Sequence, residues 1–400
     1  MNVLFFNNAE VSPIANGIQR ITDVLSSSFT EQYGCNCFSA FYKYNPLPEK
    51  TDFAQKIQII KGNEYEQFKQ LIVEHKINII ICQQVIASAK TFENISNAAK
   101  EQNCKLIYCH HASPDYNFTR PNIKSEIYAI IHKKQFTKRI KKLAVGLLPG
   151  MIYNYLVKKQ VQKEFAVYND FFDKIVLLSE RFIEDYYKLS NNPADKRKNV
   201  IAIPNILTFN EKTSVYDIDN KENIILIVSR LSERQKRISK SLEIWKKVQQ
   251  QYDIQDWKLI ILGTGEDEAY HKSLVKKHNI KNVYFEGQQE PVEYYKRAAI
   301  YMMTSAYEGF GMVLTEAQQM GAVPIAFDSF AAVHDIIEND FNGIIVEKNN
   351  TDLYIKKLIF LMKNKEKRQE MAKNALESCN RFSRYEVLKQ WNNLFESLNE

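Results

Sequence analysis

Glu308 and Glu316 stand eight residues apart, separated by Gly309-Phe310-Gly311-Met312-Val313-Leu314-Thr315. A carboxylate accepts two hydrogen bonds side by side, which suits vicinal hydroxyls. A glycine turn opening a helix offers bare N–H groups and the positive end of a dipole to phosphate. One loop carrying both can hold a sugar, a diphosphate and a ribose. The following helix reads Thr315 to Gly321, closes on that glycine, and runs into the apolar strand Val323-Pro324-Ile325-Ala326.

Two cations precede this loop. The strand-like run Asn223 to Val228 ends in Ser229-Arg230-Leu231, and Lys236-Arg237 follow before a helix with Leu242 and Trp245 on its apolar face. The carboxyl end of a strand is where open α/β sheets bind ligands, and a fixed arginine with a lysine can neutralise a diphosphate leaving group. Two further strands exit on glycines, Lys258 to Leu262 into Gly263-Thr264-Gly265 and Asn282 to Glu286 into Gly287.

In this order the motifs resemble the donor domain of retaining GT-B glycosyltransferases of the family 4 type, the group 1 glycosyl transferases, whose E-x7-E signature falls on Glu308 to Glu316. The resemblance implies an α/β fold, with two Rossmann-like doubly wound parallel-sheet domains facing a cleft. It gives Glu308 and the backbone of Gly309, Phe310, Gly311, Met312 and Val313 to the donor sugar and diphosphate, and Glu316 to the ribose. Phe285 to Gly287 would face the base, Gly263 and Gly265 would line the nucleotide site, and Arg230 and Lys236 would stabilise the leaving diphosphate without a metal. The interval from Arg230 to Lys236 is one residue longer than the family's usual pattern, so Arg234 and Arg237 stay open as alternatives for the lysine. No cofactor beyond the donor, a UDP-linked sugar, is implied.

The first half alternates short apolar runs with amphipathic segments, as a parallel sheet requires. Val3 to Phe6 leads through Asn16-Gly17 to a helix whose Ile18, Ile21, Leu25 and Phe29 share a face. Ile77 to Cys82, Lys105 to Cys109 and Lys174 to Leu178 are further strands. By resemblance Gly17 approaches phosphate, and His111, which opens a His-x-x-Pro after the third strand, faces the transferring sugar or its acceptor; His110 is the next candidate. No zinc-like spacing surrounds the pair.

Four hundred residues, 45% hydrophobic and 12% aromatic, exceed one compact core. The expected division is 1–205 as the acceptor-side domain, 206–381 as the donor domain, and 382–400 as a helix returning to the first domain. Six cysteines without Cys-x-x-Cys spacing argue for buried thiols in a reducing compartment, and no run reaches transmembrane length.

Residues 121–165 are not part of the common core. Lys133, Lys134, Lys138, Arg139, Lys141 and Lys142 precede the apolar stretch Leu143 to Tyr153, and Lys158, Lys159 and Lys163 follow it. Basic residues flanking apolar ones suit an anionic leaflet, with net charge +7 agreeing in sign, and a helical hairpin with a solvated basic face is the competing expectation. Nucleic acid fits poorly, since aromatic stacking residues are not interleaved with the cations. The expected protein is a cytoplasmic enzyme, peripheral on the inner face of the membrane. It would move a hexose or N-acetylhexosamine to a saccharide or lipid-linked acceptor in surface polysaccharide or glycolipid synthesis. A sugar-nucleotide epimerase and a non-catalytic carbohydrate-binding subunit are the alternatives.

Overall fold

The computed structural model describes residues 1–45, 50–132, 136–190, 199–209, 215–253 and 256–398. Lys133 and Lys134 lie outside them. The chain divides into two units. The first comprises Met1–Pro114, Lys158–Thr208 and Phe382–Glu400; the second comprises Asp115–Val157 and Phe209–Arg381.

The first unit holds β1 (Asn2–Ala9), β2 (Asn36–Lys43), β3 (Gln55–Gln58), β4 (Ile79–Gln83), β5 (Lys105–Cys109), β6 (Lys174–Leu177) and β7 (Val200–Ala202). They form a parallel sheet in the order β3-β2-β1-β4-β5-β6-β7, which reverses direction between β1 and β4. Runs such as Ile79-Ile80-Ile81 carry no alternation because both faces are covered. The helix Gly17–Tyr33 turns Ile21, Leu25 and Phe29 inward, with Asn16 accepting from the Gln19 N–H at its start and Gly34 at φ +62° closing it. Phe29 packs edge-on against Trp391 and Phe395 of the helix Arg384–Ser397, with ring centroids 5.8 and 5.3 Å away. All six cysteines are buried and none is in a disulfide.

The second unit is built on β8 (Glu222–Val228), β9 (Lys258–Leu262), β10 (Val283–Gly287), β11 (Ala298–Met303), β12 (Val323–Phe327) and β13 (Ile344–Val346), parallel in the order β10-β9-β8-β11-β12-β13. Its switch point lies between β8 and β11, where neighbouring crossovers leave the sheet in opposite directions; the carboxyl ends of such strands are where doubly wound sheets bind ligands. The core beneath is aliphatic and aromatic, centred on Ile225, Ile227, Trp245, Ile261, Met302, Ile325 and Tyr354. Among the described residues no helix is long and apolar enough to cross a membrane.

The basic segment departs from expectation in its location. The sequence reading places 121–165 in the first domain, whereas 115–157 belongs to the second unit, and the helix Gly150–Phe171 carries the boundary. One anchor is Arg139. Only 1% exposed, it sits 3.0 Å from Glu126, 3.2 Å from Asp267 and 3.4 Å from Glu266. Burial opposes its charge, but the Glu126 bond and the neighbouring Asp267 and Glu266 carboxylates outweigh this and hold the guanidinium firmly protonated. Arg139 therefore does not face an anionic leaflet; it clamps the helix Phe136–Leu147 onto the loop after β9.

Candidate functional site

Both loops at the switch point carry the residues singled out in the sequence. β8 exits into Ser229-Arg230-Leu231, pinned by Ser229 N–H to Leu262 O (3.0 Å) and Leu231 N–H to Thr264 O (2.9 Å). The fit is tight. A Cβ on Gly263 would lie 2.0 Å from the Ser229 carbonyl oxygen, and one on Gly265 would lie 2.4 Å from that of Leu231. Gly263 also adopts φ +116°, so both positions require glycine whatever ligand binds. At β10, Gly287 (φ +70°) accepts the Gly263 N–H at 2.6 Å, and Phe285 lies half-buried with the Lys272 ammonium 5.6 Å from its ring centre.

Past Leu231 the chain makes the short turn Glu233–Lys236, which sends its cations in different directions. Arg234 donates to the carbonyls of Thr119 (2.8 Å) and Asn117 (3.4 Å). Arg237, at φ +49°, donates to the Thr304 carbonyl (3.0 Å) and to Asn349 (2.9 Å), with its guanidinium over the Phe327 ring. Lys236 alone of the three turns to Glu308, its Nζ 2.5 Å from Oε1. Gln235 joins them, donating to Glu308 Oε2 at 3.3 Å and accepting from Arg230 at 3.3 Å, while its carbonyl accepts the Ala306 N–H at 2.7 Å. The structure thus brings Arg230, Lys236 and Glu308 into one array with Gln235, a neutral residue that no charge pattern singled out.

Glu308 follows β11 and is 6% exposed, Gly309 is half-buried, and Phe310 is 2% exposed. Gly311, at φ +91°, starts the helix Met312–Gln319; a Cβ there would crowd Phe330 at 3.1 Å. Met312 and Val313 form the half-buried first turn. Glu316, one turn on, is buried and accepts the Tyr295 hydroxyl at 3.1 Å. At the far end the Lys221 ammonium donates to the carbonyls of Met320 and Tyr295, and burial lowers its pKa to about 7. A protonated Lys221 at the carboxyl end is what the helix dipole favours.

A second network backs the array. Glu233, 1% exposed, accepts from Asn122 (3.2 Å), Ser239 (2.5 Å) and His271 (2.9 Å), and its backbone N–H donates to Asp267 (2.8 Å). Asp267 in turn faces Arg139. Tyr307, just before Glu308, lies 6.1 Å from the Tyr116 ring, and burial pushes its phenol up. Glu233 and Asn122, Asp267 and Arg139, and Tyr307 and Tyr116 are each more than a hundred residues apart in the chain, so no local spacing announces them.

In the first unit, Gly17 is exposed at the first turn of its helix. His111 follows β5 half-buried, its Nε2–H donating to Gln83 at the end of β4. Burial, with His110 beside it, lowers its pKa to about 3. His110 is wholly buried against Phe165, its pKa lowered by burial to about 4. Both imidazoles are neutral at pH 7; His111 is the more accessible of the two.

Residues 208–378 match the family described as glycosyl transferases group 1. The chain is 31% identical over 228 residues to the amylovoran biosynthesis glycosyltransferase AmsD of Erwinia amylovora, covering 56% of this chain and 62% of that protein. It is 26% identical over 198 residues, 48% of this chain and 54% of the relative, to a Campylobacter jejuni N-acetyl-D-galactosaminyltransferase named for a PP-undecaprenol-linked GalNAc saccharide. These stretches span under two thirds of the relatives' lengths. Among solved structures, Anabaena HepE in complex with UDP and glucose superposes with a TM-score of 0.70 at 15% identity, over 99% of this chain and 100% of that one.

Proposed function

We propose that this chain, which belongs to the group 1 glycosyl transferases and has their GT-B fold, moves a hexose or N-acetylhexosamine from a UDP-sugar to a saccharide or lipid-linked acceptor in surface polysaccharide or glycolipid synthesis, with retention at the anomeric carbon. The observation that carries the reading is the convergence of Arg230, Gln235, Lys236 and Glu308 at the switch point between β8 and β11. Lys236 stands beside a carboxylate that can receive sugar hydroxyls, and Arg230 is linked to that carboxylate through Gln235.

As the bond from the anomeric carbon to the diphosphate breaks, negative charge grows on the leaving oxygens and Arg230 and Lys236 stabilise it; the N-terminal amides after Gly311 add a fixed dipole. The acceptor hydroxyl then bonds to the anomeric carbon and passes its proton to the departing phosphate. No divalent ion takes part in this scheme. The names of the relatives support the acceptor class: one belongs to amylovoran synthesis, and another is named for an undecaprenol-linked saccharide. An acceptor of that kind would suit an enzyme that works in the cytoplasm, peripheral at the inner face of the membrane.

A panel of UDP-, GDP- and ADP-sugars tests the reading by calorimetry and by slow hydrolysis, with NMR of the transferred anomer. A UDP-sugar should bind and be hydrolysed without acceptor. Epimer formation with no acceptor would identify an epimerase instead, and no binding of any nucleotide would identify a silent subunit.

A further inference from the structure

The segment Asp115–Val157 gives the second unit a cavity of about 470 Å³ that the transfer chemistry leaves unused. Lys138, Lys141, Lys142 and Arg234 line it together with Val145 and Tyr153, and none of its lining residues is acidic. The positive charge there is only partly compensated. Lys138 (3.7 Å) and Lys142 (2.9 Å) share one carboxylate, Glu266, with Arg139. Arg234 bonds to neutral carbonyls that leave its charge intact, and Lys141 is exposed. A phosphate entering here meets several cations in a concave, partly apolar wall, where charge-assisted hydrogen bonds are strongest.

The surroundings identify what carries that phosphate. Eleven of the twenty-one exposed large hydrophobic side chains among the described residues fall between Ile123 and Leu156, less than a tenth of the chain, with Leu147 63% and Met151 88% exposed. A soluble phosphate would need no such surface. A bilayer supplies both halves, head groups for the cations and an acyl boundary for the apolar side chains. We infer that the cavity lined by Lys138, Lys141, Lys142 and Arg234 is a binding site for the phosphate headgroup of an anionic membrane lipid. The inference deepens the proposed peripheral location and rests on it; it does not depend on the identity of the donor sugar.

The test is flotation of the full chain with phosphatidylcholine vesicles, with and without phosphatidylglycerol. The parent should float only with the anionic vesicles. Lys138→Ala with Lys141→Ala should lower the vesicle partition constant about thirtyfold, since each basic residue near the surface contributes on the order of 1 kcal/mol. Thermal stability and UDP affinity should be unchanged. Lys158→Ala with Lys163→Ala, which removes two lysines that do not line the cavity, should have little effect. Equal losses from both pairs would mean diffuse adsorption and overturn the cavity. A parent that never floats would overturn the peripheral location as well. Inorganic phosphate binding to a parent that ignores vesicles would identify a soluble ligand and overturn the lipid assignment.

Discussion

Lys236 Nζ lies 2.5 Å from Glu308 Oε1, so a cation proposed to meet the donor's diphosphate is held by the carboxylate proposed to meet its sugar. Each orients the other at a largely buried site, and a donor slipping between them exchanges one ion pair for two ligand contacts. Lys236→Ala should lower donor hydrolysis about 10²- to 10³-fold, the range for removing one fixed charge-stabilising group. Glu308→Gln should lower it too, and the double variant should lose less than the two losses combined, because the pair acts as a unit. A Lys236→Ala enzyme within about threefold of the parent would remove the lysine from the mechanism.

Glu316 is 2% exposed and already accepts a hydrogen bond from Tyr295, so a ribose would have to share it. Glu316→Ala should weaken UDP binding by about 1.5 to 3 kcal/mol and also lower stability. Tyr295→Phe removes only the internal donor and should cost about 1 kcal/mol of stability while UDP affinity holds. Calorimetry beside thermal melts separates these effects. Unchanged UDP affinity in a folded Glu316→Ala protein would make the residue purely structural.

Much of this architecture was legible in the sequence because the physics is local. Strands buried on both faces read as continuous apolar runs, such as Ile79 to Ile81, and glycines such as Gly311 mark backbone that other residues avoid. The choice among Lys236, Arg234 and Arg237 was not legible, since three cations in four residues look alike until Arg237 turns to Thr304 and Arg234 to Thr119. Nor was the allegiance of the basic segment. Arg139 reads as one more surface charge, and its partners Asp267 and Glu266 lie well over a hundred residues away.

Activity should persist in EDTA, because Arg230 and Lys236 with the amides after Gly311 occupy the role a divalent ion would otherwise fill at the diphosphate. Product formation from a UDP-sugar, followed with chelator and after return of magnesium or manganese, is the measurement. Loss on chelation with recovery on adding either metal would defeat the cation-pair scheme.

Acid should destabilise the first unit through His110. Burial lowers its pKa from 6.5 to about 4, so below pH 6.5 the unfolded chain binds a proton that the folded chain refuses. The stability from keeping this ring neutral is present above pH 6.5 and lost as pH falls towards 4, by on the order of 3 kcal/mol. His111, lowered in the same direction, adds to the loss. Urea titrations across this range should show a shallower decline for His110→Phe than for the parent; identical slopes would show that the ring does not titrate as described.

Arg139 should matter more to stability than any other lysine or arginine of its segment. Its side chain is 1% exposed and faces Glu126, Asp267 and Glu266, so Arg139→Met leaves carboxylates buried without their counter-charge. Breaking one partner of a buried ionic cluster costs about 3 to 5 kcal/mol, whereas an exposed lysine such as Lys141 should cost well under 1 kcal/mol. Because Asp267 also receives the Glu233 N–H, loosening should spread to the turn that carries Lys236. Hydrogen exchange should therefore rise in both 136–147 and 229–237 in Arg139→Met. Faster exchange confined to 136–147 would show that the segment packs on the unit without bracing its site.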